Sequence, residues 1–121
     1  MRNNGNKQNE ETSVIREYSG LAPTYDVRWA SYITATLRET LKRLDIKPSD
    51  RLLDIGCGTG SLLQAISQKY PSVNLIGLDI SSEMLKVACN KQIYRCNPIS
   101  GQSQFLPFHS HSFDVVVSCN A

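Results

Sequence analysis

The sequence predicts a single α/β domain, a parallel sheet with flanking helices. Three observations point there. Short apolar runs of strand length, "RLLDI", "VNLIGLD" and "FDVVVS", are separated by segments with helical spacing of apolar residues. The first run opens into a glycine-rich turn that leads straight into a helix. The chain has 121 residues, enough for one domain with a real core.

Taken in order, residues 1–13 are rich in Asn, Gln and Glu and read as a disordered tail, leaving 14–121 as the folded domain. From Asp26 to Ile46 the positions Val27, Ala30, Ile33, Leu37, Leu41 and Leu44 recur at steps of three and four, which predicts a helix with one buried face. Asp26 is the expected N-cap, and Pro48 lies just past the end. Arg51–Ile55 reads as a buried strand. Thr59–Lys69 reads as a helix carrying Leu62, Leu63, Ala65 and Ile66 on one side. Val73–Asp79 is a second buried strand ending in an acid. Ser81–Asn90 begins with two serines suited to capping and has Glu83 in its first turn, so a helix follows. Pro98 restricts any strand in 91–100 to a sheet edge. Gly101–Ser112 reads as loop and Phe113–Ser118 as the last strand.

Composition narrows the function. Apolar residues make up 40% and charged residues 20%, with a formal net charge of +2. Lys and Arg are scattered, so no nucleic-acid partner is expected. No apolar run approaches the length of a membrane span, and "MRNNGNKQNEETS" lacks the apolar centre of a signal peptide. No membrane and a cytoplasmic location are the expectation. Cys57, Cys89, Cys96 and Cys119 form no CxxC pair, and His109 and His111 share a loop without a third ligand, so no metal is expected.

The stretch "LLDIGCGTG", Leu52–Gly60, carries the chemistry. A strand that ends in glycines and opens a helix is where α/β folds bind nucleotide-like ligands, beyond the carboxyl ends of the strands. Missing side chains at Gly56, Gly58 and Gly60 allow tight turning and close ligand approach. Asp79, ending the next strand, is placed to accept from both hydroxyls of a ribose. Glycines serving turn geometry alone are the plainer alternative. A phosphate-binding P-loop needs Lys-Ser or Lys-Thr after its last glycine, and here Ser61-Leu62 follows Gly60. The dinucleotide fingerprint needs glycine or alanine at position 61, where Ser61 stands, so its third glycine comes one residue early.

Asp54-x-Gly56-x-Gly58-x-Gly60 resembles the first motif of the class I S-adenosylmethionine (SAM) methyltransferases. "GLDIS", Gly77–Ser81, is similar to their second motif. "GQSQFLPFHSHSFDVVVS", Gly101–Ser118, resembles the segment before and through their fourth strand. "YSGLAPTYDVRW", Tyr18–Trp29, looks like the N-terminal helix of the small-molecule branch, which includes quinone-ring methylating enzymes. The resemblance runs from Tyr18 to the last residue and implies a Rossmann-like sheet, here partial, with about four of seven strands in the family order 3-2-1-4-5-7-6. It implies SAM as cofactor and a small-molecule acceptor. Asp54 would bind the ammonium side, and the backbone of Gly56, Cys57, Gly58 and Gly60 would cover methionine and ribose. Asp79 would hold the ribose hydroxyls. Ile80 and Met84 would either pack on adenine or be ordinary core. Tyr18 and Tyr25 would close over the cofactor, and Trp29 is read as helix packing. Gln102 stands where the family has an aspartate accepting from the adenine amino group, and it is either that acceptor without charge assistance or a plain loop residue. The backbone N–H of Ser103 would serve adenine whatever its side chain.

Methyl transfer from a sulfonium needs alignment more than acid or base, so no general base is nominated and the catalytic residues stay unknown. Without a fifth strand, residues 113–118 would present an apolar edge, which predicts a homodimer or aggregation through it. Three functions remain open: a methyltransferase represented by its cofactor-binding half, an inactive SAM-binding or scaffolding module, and an NAD-dependent oxidoreductase fragment with an irregular fingerprint.

Overall fold

The computed structural model describes residue 16, residues 19–102 and residues 108–118. The expected tail, Tyr18, Ser103 and Cys119 lie outside the described residues. Within them the predicted α/β fold is present. A turn of 3-10 helix at Ala22–Thr24 leads into α1 (Tyr25–Arg28) and α2 (Ala30–Arg43). Then come β1 (Arg51–Ile55), α3 (Ser61–Lys69), β2 (Asn74–Asp79), α4 (Ser82–Asn90), β3 (Cys96–Ser100) and β4 (Val115–Val117).

The four strands form one sheet in the order β3-β2-β1-β4, and every pairing is parallel. That is the 3-2-1-4 order the resemblance implies. β1 lies inside, with Leu53 beside Ile76 of β2 on one flank and Val116 of β4 on the other. Pro98 sits in β3 opposite Gly77, at the outer edge as its missing N–H requires. The core gathers Leu52, Leu75 and Val117 of the sheet with Leu62, Leu63 and Ile66 of α3 and Leu85 of α4. Leu37 and Leu41 of α2 pack against it half-buried.

The structure corrects the N-terminal helix. The single helix expected over Asp26–Ile46 is broken at Trp29, whose φ of −108° and ψ of 18° leave the helical region. Asp26 does not cap a terminus. It lies inside α1, where its carboxylate is taken up by Thr59, Ser61 and Lys91 instead. The expected buried face is only half-buried in α2, and Val27 is 85% exposed. The helix stops at Arg43 because Leu44 turns extended and carries Ile46 into the core. Of the two serines before α4, only Ser81 caps, accepting from the Met84 N–H at 3.3 Å, while Ser82 donates to Glu83.

The shift of α3's start from Thr59 to Ser61 has a backbone cause. Gly60 has φ +82°, a left-handed residue that a helix cannot include. A Cβ there would also lie 2.9 Å from Ile93 Cδ1 and 3.1 Å from Ala88 Cβ, so α4 and the segment after it pack directly on this position.

Gly77 is another close approach. A Cβ added to it would stand 2.7 Å from Leu63 Cδ1 and 2.8 Å from Cys57 Sγ. Gly77→Ala is expected to destabilise the fold by about 1–3 kcal/mol, because both neighbours are buried and must move. Gly20→Ala, where nothing lies within 4 Å, should change stability by less than about 0.5 kcal/mol. Urea midpoints of the two variants check this, and equal midpoints would contradict the packing.

Candidate functional site

The site is built at the carboxyl end of β1 and β2. Leaving β1, the chain turns through Gly56, Gly58 and Gly60 with φ of +74°, +57° and +82°. Three alternate left-handed residues explain the glycine spacing, since each would cost an L side chain about 1–2 kcal/mol. Gly56 and Gly58 also border the cleft described below. The turn is fastened to β2, where the Leu78 carbonyl accepts from both Gly56 N–H (2.7 Å) and Cys57 N–H (2.9 Å).

Asp79 completes the fastening. Its Oδ2 accepts the Gly58 N–H at 2.8 Å, and its Oδ1 accepts the Ser81 N–H at 2.9 Å. The residue is 4% exposed. One carboxylate therefore ties the glycine turn to the start of α4, a structural task the ribose assignment did not anticipate.

Asp54 behaves differently. It is 3% exposed, and no hydrogen bond or ion pair to its carboxylate occurs among the described residues. It lines a cleft whose floor is the glycine turn, with Gly56, Cys57 and Gly58 beside it. Burial, reinforced by the nearby Asp79 charge, pushes its carboxyl up to about 7. The acid thus borders the cleft with a carboxyl that burial keeps from ionising readily.

The opposite wall comes from the N-terminal helices. Tyr25, Tyr32, Ile33, Thr36 and Leu37 line it, so the cleft is apolar apart from hydroxyls and the one acid. The space between the two walls is about 540 Å³ when solvent at the open mouth is included. Burial, followed by Tyr32, Asp26 and Asp79, raises the Tyr25 phenol, which stays a neutral hydroxyl. Cys57 is buried, and that burial pushes its thiol far above the usual range, so it serves as a small packing group and not as a nucleophile.

Of the predicted residues, the structure thus brings Tyr25, Asp54, Gly56, Cys57 and Gly58 to one cleft. Asp79 lies behind the turn. Ile80 is 43% exposed just beyond β2, while Met84 is fully buried, which makes Met84 core. Gln102 is exposed just beyond β3, and Gly60 faces α4. Residues that sequence reasoning missed are Tyr32 and Thr36 on the α2 wall, and a polar cluster of Asp26, Thr59, Ser61 and Lys91. No local pattern marks this cluster, because its members come from three separate segments. Among the described residues no group of three or more His, Cys, Asp or Glu side chains converges on a metal position, and no helix is long and apolar enough to cross a membrane.

Comparison with known proteins fits this geometry. The methyltransferase domain family matches residues 52–121. A demethylmenaquinone methyltransferase of Anoxybacillus flavithermus is 32% identical over 120 residues, covering 91% of this chain and 50% of that protein. A malonyl-[acyl-carrier protein] O-methyltransferase of Legionella pneumophila is 37% identical over 86 residues, covering 69% of this chain and 30% of the other. The chain spans half or less of the length of these curated relatives. Among solved structures, a Haloferax volcanii protein in complex with the Trm112 methyltransferase activator superposes with a TM-score of 0.77 at 27% identity, over 84% of this chain and 46% of that one. A Haemonchus contortus phosphoethanolamine N-methyltransferase in complex with S-adenosyl-L-methionine superposes with a TM-score of 0.62 at 26% identity, over 70% of this chain and 20% of that one. Motifs, strand order and family match agree: the chain belongs to the methyltransferase domain family, with a partial Rossmann-like sheet of four parallel strands.

Proposed function

We propose that the chain binds S-adenosylmethionine in the cleft between the glycine turn and α2, as the cofactor-binding part of a methyltransferase that acts on a small-molecule acceptor. The observation that carries this reading is the buried, unpartnered Asp54 carboxylate facing the cleft. The donor set fits the group. Asp54 takes the ammonium of the methionine end, and the bare backbone at Gly56, Cys57 and Gly58 lets that chain lie close. Asp79, at the end of β2, is the acid for the ribose hydroxyls, Ile80 offers its exposed apolar face to adenine, and Gln102 follows β3 at that end. When bound, the cofactor supplies a methyl group on an already activated sulfonium. The chain's own task is to orient donor and acceptor and exclude water, and Tyr25, Tyr32, Ile33 and Leu37 provide the apolar wall for that. Relatives named for demethylmenaquinone and phosphoethanolamine support a small molecule as the class, and the compound is left to assay.

An inactive SAM-binding module would titrate identically and differs only in lacking turnover. The nicotinamide reading is disfavoured by the position of Gly60, whose Cβ side is filled by Ile93 and Ala88. The free Cys57, Cys89 and Cys96 are consistent with a reducing cytoplasm. Association of two copies through β4 is part of the same reading, since Val116 is 55% exposed and β4 pairs only with β1 among the described residues. Sedimentation should show a dimer that Val116→Lys disperses, and a monomer at high concentration would remove this part.

Calorimetry with S-adenosylhomocysteine should show binding and NAD none. Asp54→Asn should weaken that binding at least about tenfold, the worth of a hydrogen bond to a charged group. pH gives a sharper signature. The Asp54 carboxyl titrates near 7 when folded against 3.8 when unfolded, so the folded state holds its proton more tightly. Stability from this group is therefore present at low pH and lost as pH rises from about 4 to 7. Asp54→Asn should be more stable than wild type by on the order of 1–4 kcal/mol at pH 8, with the difference vanishing near pH 4. A bound ammonium lowers the same carboxyl, so affinity should rise with pH through about 7 and a proton should be released on binding near that pH. Titration in buffers of different ionisation enthalpy measures this, and binding without proton release would place the cation elsewhere.

A further inference from the structure

The segment from Ser19 to Arg28 supplies Tyr25 to the cleft, yet it has little apolar anchoring. Ala22 is its one fully buried residue, and α1 buries none. Side-chain polar contacts hold it instead. At one end Ser19 Oγ lies 2.6 Å from Ser81 Oγ at the head of α4. At the other, Asp26 is gripped from two elements at once. Its Oδ1 accepts from Thr59 Oγ1 at 2.6 Å and from Ser61 Oγ at 3.4 Å, and its Oδ2 lies 2.7 Å from Lys91 Nζ. Lys91 in turn reaches Thr59 and Ser61, each at 3.4 Å. The lysine side chain is 17% exposed and Asp26 is 37% exposed, so the pair is largely withdrawn from solvent. Burial works against the Asp26 charge, and the hydrogen bonds from Lys91 and Thr59 outweigh it, holding the carboxyl below its ordinary value.

Thr59 and Ser61 flank Gly60, the last glycine of the turn, and both line the cleft. The ion pair thus joins the helical segment above the cleft to the floor beneath it and to the end of α4. We propose that Asp26 and Lys91 are positioning residues that clasp the N-terminal segment over the bound cofactor and set how fast the cofactor leaves. The proposal rests on the SAM reading above. Closing over a ligand is done by the α1 segment, opening requires the Asp26 contacts to part, and a half-buried pair missing one partner loses the contact that holds the segment closed. Neither residue touches the cleft's own acid, so the clasp acts on residence and not on recognition.

The test is the dissociation rate of S-adenosylhomocysteine, measured by displacement in stopped flow, for wild type, Asp26→Asn, Lys91→Met and the reversed pair Asp26→Lys/Lys91→Asp. Both single variants should release the compound about tenfold faster, with association rates changed less than threefold. The reversed pair should recover most of the loss. Trypsin cleavage after Arg28, in the absence of ligand, should quicken in the single variants and slow again in the reversed pair, while circular dichroism shows the sheet intact. Unchanged dissociation in both single variants, or a loss the reversed pair does not recover, overturns the clasp. Failure of the wild type to bind S-adenosylhomocysteine at all overturns the SAM reading instead, so the two failures are distinguishable.

Discussion

One carboxylate holds the functional end of this domain together. Asp79 accepts the Gly58 N–H with one oxygen and the Ser81 N–H with the other, so the turn after β1 and the head of α4 share an anchor at the end of β2. Without it, the first half of the turn would still be tied to β2 through the Leu78 carbonyl, but the Gly58 N–H would lose its acceptor. Ser81 meanwhile caps α4 and meets Ser19, which extends the anchoring to the N-terminal segment. The Asp79 charge also reaches Asp54, where it adds to burial in raising that carboxyl.

The two acids therefore divide the labour by environment. Asp79 is tied to two backbone N–H groups, whereas Asp54 is equally buried and lacks partners among the described residues. Their chemistry is alike, yet one fixes a loop and the other lies unpaired beside the cleft. The apolar wall supplied by α2 sharpens this contrast, because a low-polarity surround makes an unmatched charge costly and a matched one valuable.

Much of this was legible in the residues. The glycine spacing, the two strand-ending acids and the position of Pro98 each have a local cause, and the structure places them as local rules require. Asp26 shows where such rules stop. Before a helical stretch it reads as an N-cap, but its partners lie 33 positions on at Thr59 and farther still at Lys91, and tertiary pairing overrode the capping preference. Trp29 interrupts a spacing that continues smoothly through it, so periodicity alone could not mark the break. Met84 and Ile80 differ by four residues and have opposite fates, one sealed in the core and one exposed, which depends on how α4 is rotated against the sheet.

The order of the strands also sets a schedule. β1, β2 and β3 follow one another with a single helix between neighbours, so their pairing closes short loops. β4 joins the opposite flank of β1 only after a long return, shown by Arg51 and Asp114, 63 positions apart, meeting at the strand entrance. Its alignment rests on three residue pairs. Loop-closure entropy rises with that separation and few ladder bonds offset it. The last strand should then dock late during folding and let go early, so its amides exchange with solvent while the three-strand unit beside it stays shut.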